Sequence, residues 1–143
     1  IEYFLNFSEK NDCLVVAGHG AEPKIKHPRI FYVGNLETDE LLTLFKISKY
    51  FIHLAYLDHC PNVVIDARAC GCQIICSSSG GTKEIAGKNA IVVQEDPWDY
   101  SYLESSVPPK MDYNRKENSK FDSHLSMSKV AKKYHNFLKG VAK

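Results

Sequence analysis

The sequence predicts an α/β domain, with a parallel sheet that carries helices on both of its faces. Two observations lead to this class. Short apolar runs, typical of buried strands, alternate along the chain with amphipathic helical segments. In addition, Gly18, Gly34 and Asp58 each come directly after a predicted strand or close behind one. Because ligands of such sheets bind beyond the carboxyl ends of the strands, we expect these three residues to line one edge.

Two helices and three strands are predicted before residue 58. Helices are placed where apolar residues recur at helical spacing, and strands where a short apolar run ends at turn residues. His53 lies in the last of these strands, and we interpret it as a histidine satisfied in the core rather than as a ligand. The helices are predicted at 1–7 and 39–48, and the strands at 12–17, 29–33 and 50–55.

Residues 58–84 are predicted to run as loop, helix, strand, glycine turn and helix. Pro61 suits the first helical position, where its missing N–H is not needed. Gly71 is expected to end this helix, because glycine adopts the left-handed C-terminal conformation without strain. The strand is then predicted at 73–76, the turn at 77–81 and the second helix at 82–86.

A strand, a loop and a long helix are predicted beyond this stretch. The strand is expected at 90–93. Residues 107–122 are polar, with a Pro-Pro pair and alternating charge, and are therefore predicted to be a loop. The helix at 124–140 combines an apolar face with four lysines. A solvated polar face is the simpler interpretation of those lysines, and a peripheral membrane contact is the alternative.

Length, charge and cysteine usage exclude several classes of protein. The chain has 143 residues and an apolar fraction of 44%, which suits one globular domain. Its net charge of +1 gives no overall basic field, so no nucleic-acid partner is expected. No segment approaches the roughly 18 apolar residues of a membrane span. The five cysteines are odd in number and mostly lie in predicted strands and helices, so we expect reduced thiols and a cytoplasmic protein.

The spacing of the cysteines does not predict a metal site. Cys70, Cys72 and Cys76 are separated by one and by three residues, which is not the ligand spacing of a zinc site. No metal site is therefore expected at these cysteines. We also expect no cofactor.

Two carboxylates are the residues that suggest chemistry. Asp58 precedes the central helix, and Asp66 lies within it, on the same face as Asn62 four residues earlier. Carboxylates accept hydrogen bonds from vicinal hydroxyls, and the free N–H groups of a helix N-terminus favour phosphate. A ligand with sugar hydroxyls and a phosphate would fit both. The alternative interpretation is an ordinary helix start followed by one solvated aspartate.

The order and spacing of residues 58–84 resemble the donor-binding signature of GT-B glycosyltransferases, specifically glycosyltransferase family 4. That signature consists of an acidic residue, seven intervening residues with a proline, Glu-Ala-x-Ala-x-Gly, a strand and a Gly-Gly-x-x-Glu turn. Both family glutamates are aspartates here, at Asp58 and Asp66. His59 and Cys60 stand where a glycine and an aromatic residue are common.

The resemblance implies the C-terminal half of a GT-B fold, a Rossmann-like three-layer αβα domain with a parallel sheet. It also implies retaining, metal-independent transfer of a sugar from a UDP- or GDP-sugar to an acceptor glycan or lipid. By position, Asp58 would be the catalytic contact to the donor sugar, and Asp66 would bind the ribose hydroxyls. The other donor-binding residues implied are Gly34 near the base and His59, Cys60, Pro61, Asn62 and Val63 near the sugar and diphosphate.

The resemblance covers only the donor-binding half of such an enzyme. We expect its opening strand and the N-terminal domain that binds the acceptor to be absent from this chain, and we expect the chain alone to be inactive. A GT-B nucleotide-sugar epimerase and a non-catalytic domain that binds a nucleotide sugar or a partner are the alternatives. A location at the inner face of the membrane is the alternative to a purely cytoplasmic one.

Overall fold

The computed structural model describes residues 1–19, 25–96, 110–122 and 125–141 of the chain. They belong to two compact units, Ile1–Leu44 and Phe45–Lys143. Strands alternate with helices along the chain, and most of the strand pairs are parallel. The predicted α/β class is therefore confirmed.

The first unit contains a parallel pair of strands preceded by a short helix. The helix α1 (Glu2–Phe7) buries Tyr3 and Phe4, and β1 (Leu14–Ala17) pairs in parallel with β2 (Ile30–Gly34). Just beyond the pair, the Gly18 N–H donates to the Gly34 carbonyl at 2.8 Å. Both glycines have positive φ, 128° and 69°, so the turns that end these strands need glycine. The helix α2 (Thr38–Ile47) spans the boundary between the units.

The second unit is built on a four-stranded sheet. Its strands, in spatial order, are β3 (Tyr50–His53), β4 (Gln73–Ser77), β5 (Ile91–Glu95) and β6 (Met111–Asn118). The first three run parallel, and β6 runs antiparallel to β5. The helices α3 (Asn62–Ala69) and α4 (Thr82–Ile85) connect β3 to β4 and β4 to β5, and α5 (Met127–Val141) follows β6.

The core of this unit lies around β4, one of the two strands with neighbours on both sides. Four of its five residues are buried, which explains the apolar run Ile74, Ile75 and Cys76 at its centre. Val64 and Ala67, three residues apart on α3, are also fully buried, whereas Asp66 on the same helix is exposed. One face of α3 therefore packs into the core and the other is available to solvent.

The end of α3 explains why a glycine follows it. The Gly71 N–H donates to the Arg68 carbonyl at 3.1 Å, and the Cys72 N–H donates to the Ala67 carbonyl at 3.0 Å. With Gly71 at a φ of 101°, this is the glycine-terminated arrangement that satisfies the last carbonyls of a helix. The predicted helix end at Gly71 is confirmed. At the other end, Pro61 is the residue before the helix rather than its first residue, with φ −70° and ψ 115°.

The predictions for the last third of the chain need correction. The loop predicted at 107–122 is wrong over Met111–Asn118, which form β6, and 107–109 lie outside the described residues. The sheet of this unit is consequently mixed rather than parallel. An edge strand of an antiparallel pair has exposed side chains and tolerates polar residues, so its sequence resembles that of a loop. The C-terminal helix is observed at Met127–Val141, where 124–140 was predicted, and His124 is outside the described residues.

The helix α5 has an exposed apolar face. It is described over its whole length, and none of its residues is buried. Five of its large apolar side chains are at least 62% exposed, whereas Val130 is half-buried. The five are Met127, Tyr134, Phe137, Leu138 and Val141. Among the described residues, no helix combines the length and the apolar character needed to cross a membrane.

Candidate functional site

The site lies at the carboxyl edge of the parallel strands in the second unit. His53, Ser77 and Glu95 are the last residues of β3, β4 and β5, so the connections that follow them begin at the same edge. Ser77 links two of these connections, because its hydroxyl donates to the Ala55 carbonyl at 3.1 Å. This edge is where parallel α/β sheets bind their ligands.

The backbone of Asp58 is held against the glycine turn that follows β4. Its carbonyl accepts hydrogen bonds from the Gly81 N–H at 3.0 Å and from the Thr82 hydroxyl at 3.2 Å. A side chain at Gly80 would collide with the Asp58 backbone, and one at Gly81 would collide with the His59 carbonyl. The two consecutive glycines are therefore needed because the loop before α3 lies directly against them.

Leu57, immediately before Asp58, has an unusual backbone conformation. Its φ of 54° is positive, which is a strained region for a branched apolar side chain. The turn at Leu57 redirects the chain between β3 and α3 and so sets the direction in which Asp58 leaves the backbone. Nothing in the sequence signalled this conformation, because leucine is not a residue that favours it.

The carboxylate of Asp58 is paired with His53. The Asp58 Oδ2 lies 3.0 Å from His53 Nε2, and the two side chains are 34% and 18% exposed. The ring of His53 also stacks on that of Phe51, with centroids 6.1 Å apart and planes 20° apart. His53 is thus a satisfied histidine, but its partner is the predicted site carboxylate. Sequence analysis missed this pairing, and the available signal was a histidine five residues before that carboxylate.

The start of α3 presents backbone donors beside Asp58. Pro61 offers no side-chain hydrogen bond to the helix, and the Val64 N–H donates to the Pro61 carbonyl at 3.0 Å. The amides of Asn62 and Val63, the first two residues of the helix, have no carbonyl one turn earlier in the helix to bond. Together with the helix dipole, such amides favour an anionic ligand group.

Most of the remaining predicted residues of this loop and helix are accessible. Asp66 and Asn62 are exposed, one helical turn apart, as the sequence predicted for a shared face. His59 and Cys60 are exposed as well, whereas Pro61 is buried. The structure therefore brings the predicted residues 58–63 together in one connection and leaves Asp66 open to solvent on the helix that follows.

A second set of contacts fixes the other side of the glycine turn. The Ser79 hydroxyl is hydrogen-bonded to the carboxylate of Glu95, which is buried at the end of β5. The Glu95 N–H donates to the Ser78 hydroxyl at 3.2 Å, and Lys83 Nζ donates to the Ser78 carbonyl at 2.6 Å. Sequence analysis did not single out these residues, which make the turn a rigid support for Asp58.

Gly34 is the one predicted site residue outside the second unit. It ends β2 in the first unit, where its carbonyl accepts the hydrogen bond from Gly18. The expectation that Gly18 and Gly34 lie at the same edge is confirmed for these two residues. Their position at a common edge with Asp58 stays a prediction.

Comparison with known proteins gives one match. The family described as "Glycosyl transferases group 1" matches residues 11–101, which is more than half of the chain. The matched range contains Gly34, Asp58 and Asp66. Neither curated proteins nor solved structures give a match.

Proposed function

Because the chain belongs to the group 1 glycosyl transferases, we propose that it binds the nucleotide-sugar donor of a glycosyl transfer at the carboxyl edge of β3, β4 and β5. One observation carries the proposal. The backbone of Asp58 is fixed by Gly81 and Thr82, so that its carboxylate lies at this edge, directly before the amides that open α3.

The donor would be recognised through the charge of its diphosphate and through hydrogen bonds from its hydroxyls to carboxylates. The diphosphate of a UDP- or GDP-sugar accepts hydrogen bonds from the amides of Asn62 and Val63. Asp58 accepts hydrogen bonds from hydroxyls of the donor sugar, and Asp66 accepts them from the ribose. The backbone of His59, Cys60 and Pro61 lies along the sugar and diphosphate, and Gly34 is assigned to the base on the resemblance alone.

The reaction follows from the same resemblance. The bond between the anomeric carbon and the diphosphate oxygen breaks, and a bond from that carbon to the acceptor oxygen forms with retained configuration. The proton of the acceptor hydroxyl passes to the departing diphosphate, with no metal and no protein nucleophile. The protein then contributes mainly positioning and electrostatic stabilisation of the leaving group. The acceptor that we propose is a glycan or a lipid.

A peripheral membrane contact through α5 is the second part of the proposal. The sequence of α5 contains four lysines and no acidic residue, and five of its large apolar side chains are exposed. An apolar stripe flanked by positive charge complements an anionic lipid surface. A cytoplasmic location at the inner face of the membrane fits this contact and the five free thiols.

The proposed donor site is tested by removing one of its carboxylates. Asp66→Asn keeps the shape of the side chain and removes the charge that would bind the ribose. Each charge-assisted hydrogen bond contributes about 1.5–3 kcal/mol, so the affinity for UDP or GDP should fall by about tenfold to a hundredfold. Isothermal titration calorimetry on the 143-residue chain measures the affinity.

The matched control is Asp39→Asn, which removes the same charge from an exposed position of α2. It should leave the affinity unchanged. The proposal fails if wild-type chain binds neither nucleotide, or if Asp66→Asn binds as tightly as the control. A non-catalytic binding domain would give the same affinities without any transfer of the sugar to an acceptor.

A further inference from the structure

His53 and Asp58 form a pair in which each member is held by a different part of the fold. His53 is the last residue of β3, in register with Cys76 of β4, so its backbone belongs to the rigid sheet. Asp58 lies in the following connection, with its carbonyl bonded to Gly81 and Thr82. The backbone contacts do not restrain the rotation of the Asp58 side chain. The 3.0 Å contact with His53 Nε2 does.

The orientation of the imidazole ring of His53 is fixed by its aromatic neighbours. It stacks on Phe51, and Phe51 meets the ring of Phe45 edge-on at 5.2 Å. Residues 51 and 53 share a face of β3 because side chains alternate along a strand. An N–H at Nε2 is therefore directed towards Asp58 by an aromatic stack rather than by a freely rotating chain.

The contact gives the two oxygens of the Asp58 carboxylate different roles. Oδ2 is taken by His53 Nε2, and Asp58 Oδ1 has further lone pairs with which to accept. A hydroxyl of the donor sugar needs one acceptor oxygen at a fixed position. The side chain of an aspartate is one methylene shorter than that of the glutamate in the resembled signature. The direction in which the Asp58 side chain points therefore has a larger effect on whether its carboxylate reaches the sugar hydroxyl.

We infer that His53 is a positioning residue, which holds Asp58 Oδ2 and thereby presents Oδ1 to a hydroxyl of the donor sugar. This inference rests on the proposed function. His53 acts through Asp58 and does not itself touch the donor. Its loss should weaken recognition of the sugar and leave recognition of the nucleotide unchanged.

The readout is the ratio of two affinities, that for a nucleotide sugar over that for the matching nucleoside diphosphate. Calorimetry measures the affinities for UDP-glucose, UDP-N-acetylglucosamine and GDP-mannose, and the affinity for the UDP or GDP that matches each of them. The nucleotide sugar that wild-type chain binds most tightly is then used, with its matching nucleoside diphosphate, for the variants. His53→Phe retains a flat ring that can stack on Phe51 but removes the N–H that hydrogen-bonds to Asp58. In this variant the ratio should fall about tenfold. In His53→Gln, whose amide nitrogen can occupy the position of Nε2, the ratio should recover.

Two further variants keep the test decisive. In an Asp58→Ala background, His53→Phe should cause no additional loss, because the group it positions is gone. If His53→Phe does not fold, as judged by circular dichroism, His53→Asn replaces it, since its shorter amide should not reach Asp58.

The outcomes separate the two claims. A wild-type chain that binds no nucleotide contradicts the proposed function and this inference with it. A wild-type chain that prefers the nucleotide sugar, with an unchanged ratio in the folded His53 variant, overturns the inference and leaves the proposed function standing. A lowered affinity for the nucleoside diphosphate alone also overturns it, because that loss would be structural.

Discussion

Asp58 is fixed more tightly than a residue of an ordinary surface loop. Its carbonyl accepts two hydrogen bonds from the turn after β4, and its carboxylate is bonded to His53. An aspartate also has one rotatable bond fewer than the glutamate of the resembled signature, so less side-chain freedom is lost when a ligand binds. The shorter side chain is therefore compatible with a site that depends on pre-organisation.

The cysteines differ enough in environment for their reactivities to be predicted. Burial raises the pKa of the Cys76 thiol to about 11, although the nearby Lys83 opposes the shift. Burial also raises the pKa of Cys72, which is buried too. Only the thiolate reacts with an alkylating reagent, so at pH 8 about one Cys76 thiol in a thousand is in the reactive form.

We therefore expect iodoacetamide at pH 8 to modify Cys13 and Cys60, which are exposed, well before Cys72 and Cys76. Mass spectrometry of peptides over a time course measures the order, and chain unfolded in guanidinium is the control in which all five should react alike. Modification of Cys76 as fast as Cys60 in folded chain would contradict the described core. A disulfide in chain that was never reduced would contradict the free thiols.

At the residue scale, the positions of the site residues could be predicted from the sequence, whereas the contacts that hold them could not. The carboxylates and the two glycines were visible as a spaced pattern. The positive φ of Leu57 and the pairing of His53 were not, because both depend on a loop that folds back on the strand before it. Local propensity gives leucine and histidine no reason to adopt these arrangements, and tertiary contacts impose them.

At the scale of elements, predictability follows burial. The strand β4 was predicted at 73–76 and is observed at Gln73–Ser77, because a strand buried on both faces has an apolar centre, here Ile74, Ile75 and Cys76. The strand β6 was missed, because its residues are polar and mostly exposed. What makes it a strand is pairing with β5, from Ile91 opposite Asn118 to Glu95 opposite Met111, and the sequence of β6 alone does not contain that information.

The helix α5 offers a prediction at this scale. Replacing Lys129, Lys132, Lys133 and Lys139 by alanine should reduce binding to vesicles made of equal parts of phosphatidylcholine and phosphatidylserine. A basic residue near an anionic surface contributes about 1 kcal/mol, so the four together should lower the partition coefficient by more than about a hundredfold. Vesicle sedimentation measures the bound fraction.

The control removes the same charge from exposed lysines outside α5, at Lys10, Lys26, Lys88 and Lys120. It should retain most of the binding. Failure of wild-type chain to bind the anionic vesicles would exclude the membrane contact. Equal binding to vesicles of pure phosphatidylcholine would exclude an electrostatic contribution to the membrane contact. Self-association of the chain through α5 without vesicle binding would mean that the apolar face of α5 binds a second copy of the chain.

At the scale of the whole molecule, the class of fold was predictable and the composition of the sheet was not. Alternating strands and helices produced the α/β assignment, and the family match over residues 11–101 supports glycosyl transfer in general. The identity of the base, the sugar and the acceptor depends on contacts that no spacing of residues in this chain encodes. The roles proposed for Asp58, Asp66 and His53 all depend on the donor site.

The most direct test is to map where a donor nucleotide binds. Chain labelled with ¹⁵N is titrated with UDP and with GDP, and the backbone amide shifts are followed by NMR. We expect the largest changes at residues 58–60, at Asn62 and Val63, at Asp66 and at Gly80 and Gly81, with β6 and α5 unchanged. Changes confined to β6 or α5, or no change with either nucleotide at millimolar concentration, would contradict a donor site at the carboxyl edge of β3, β4 and β5.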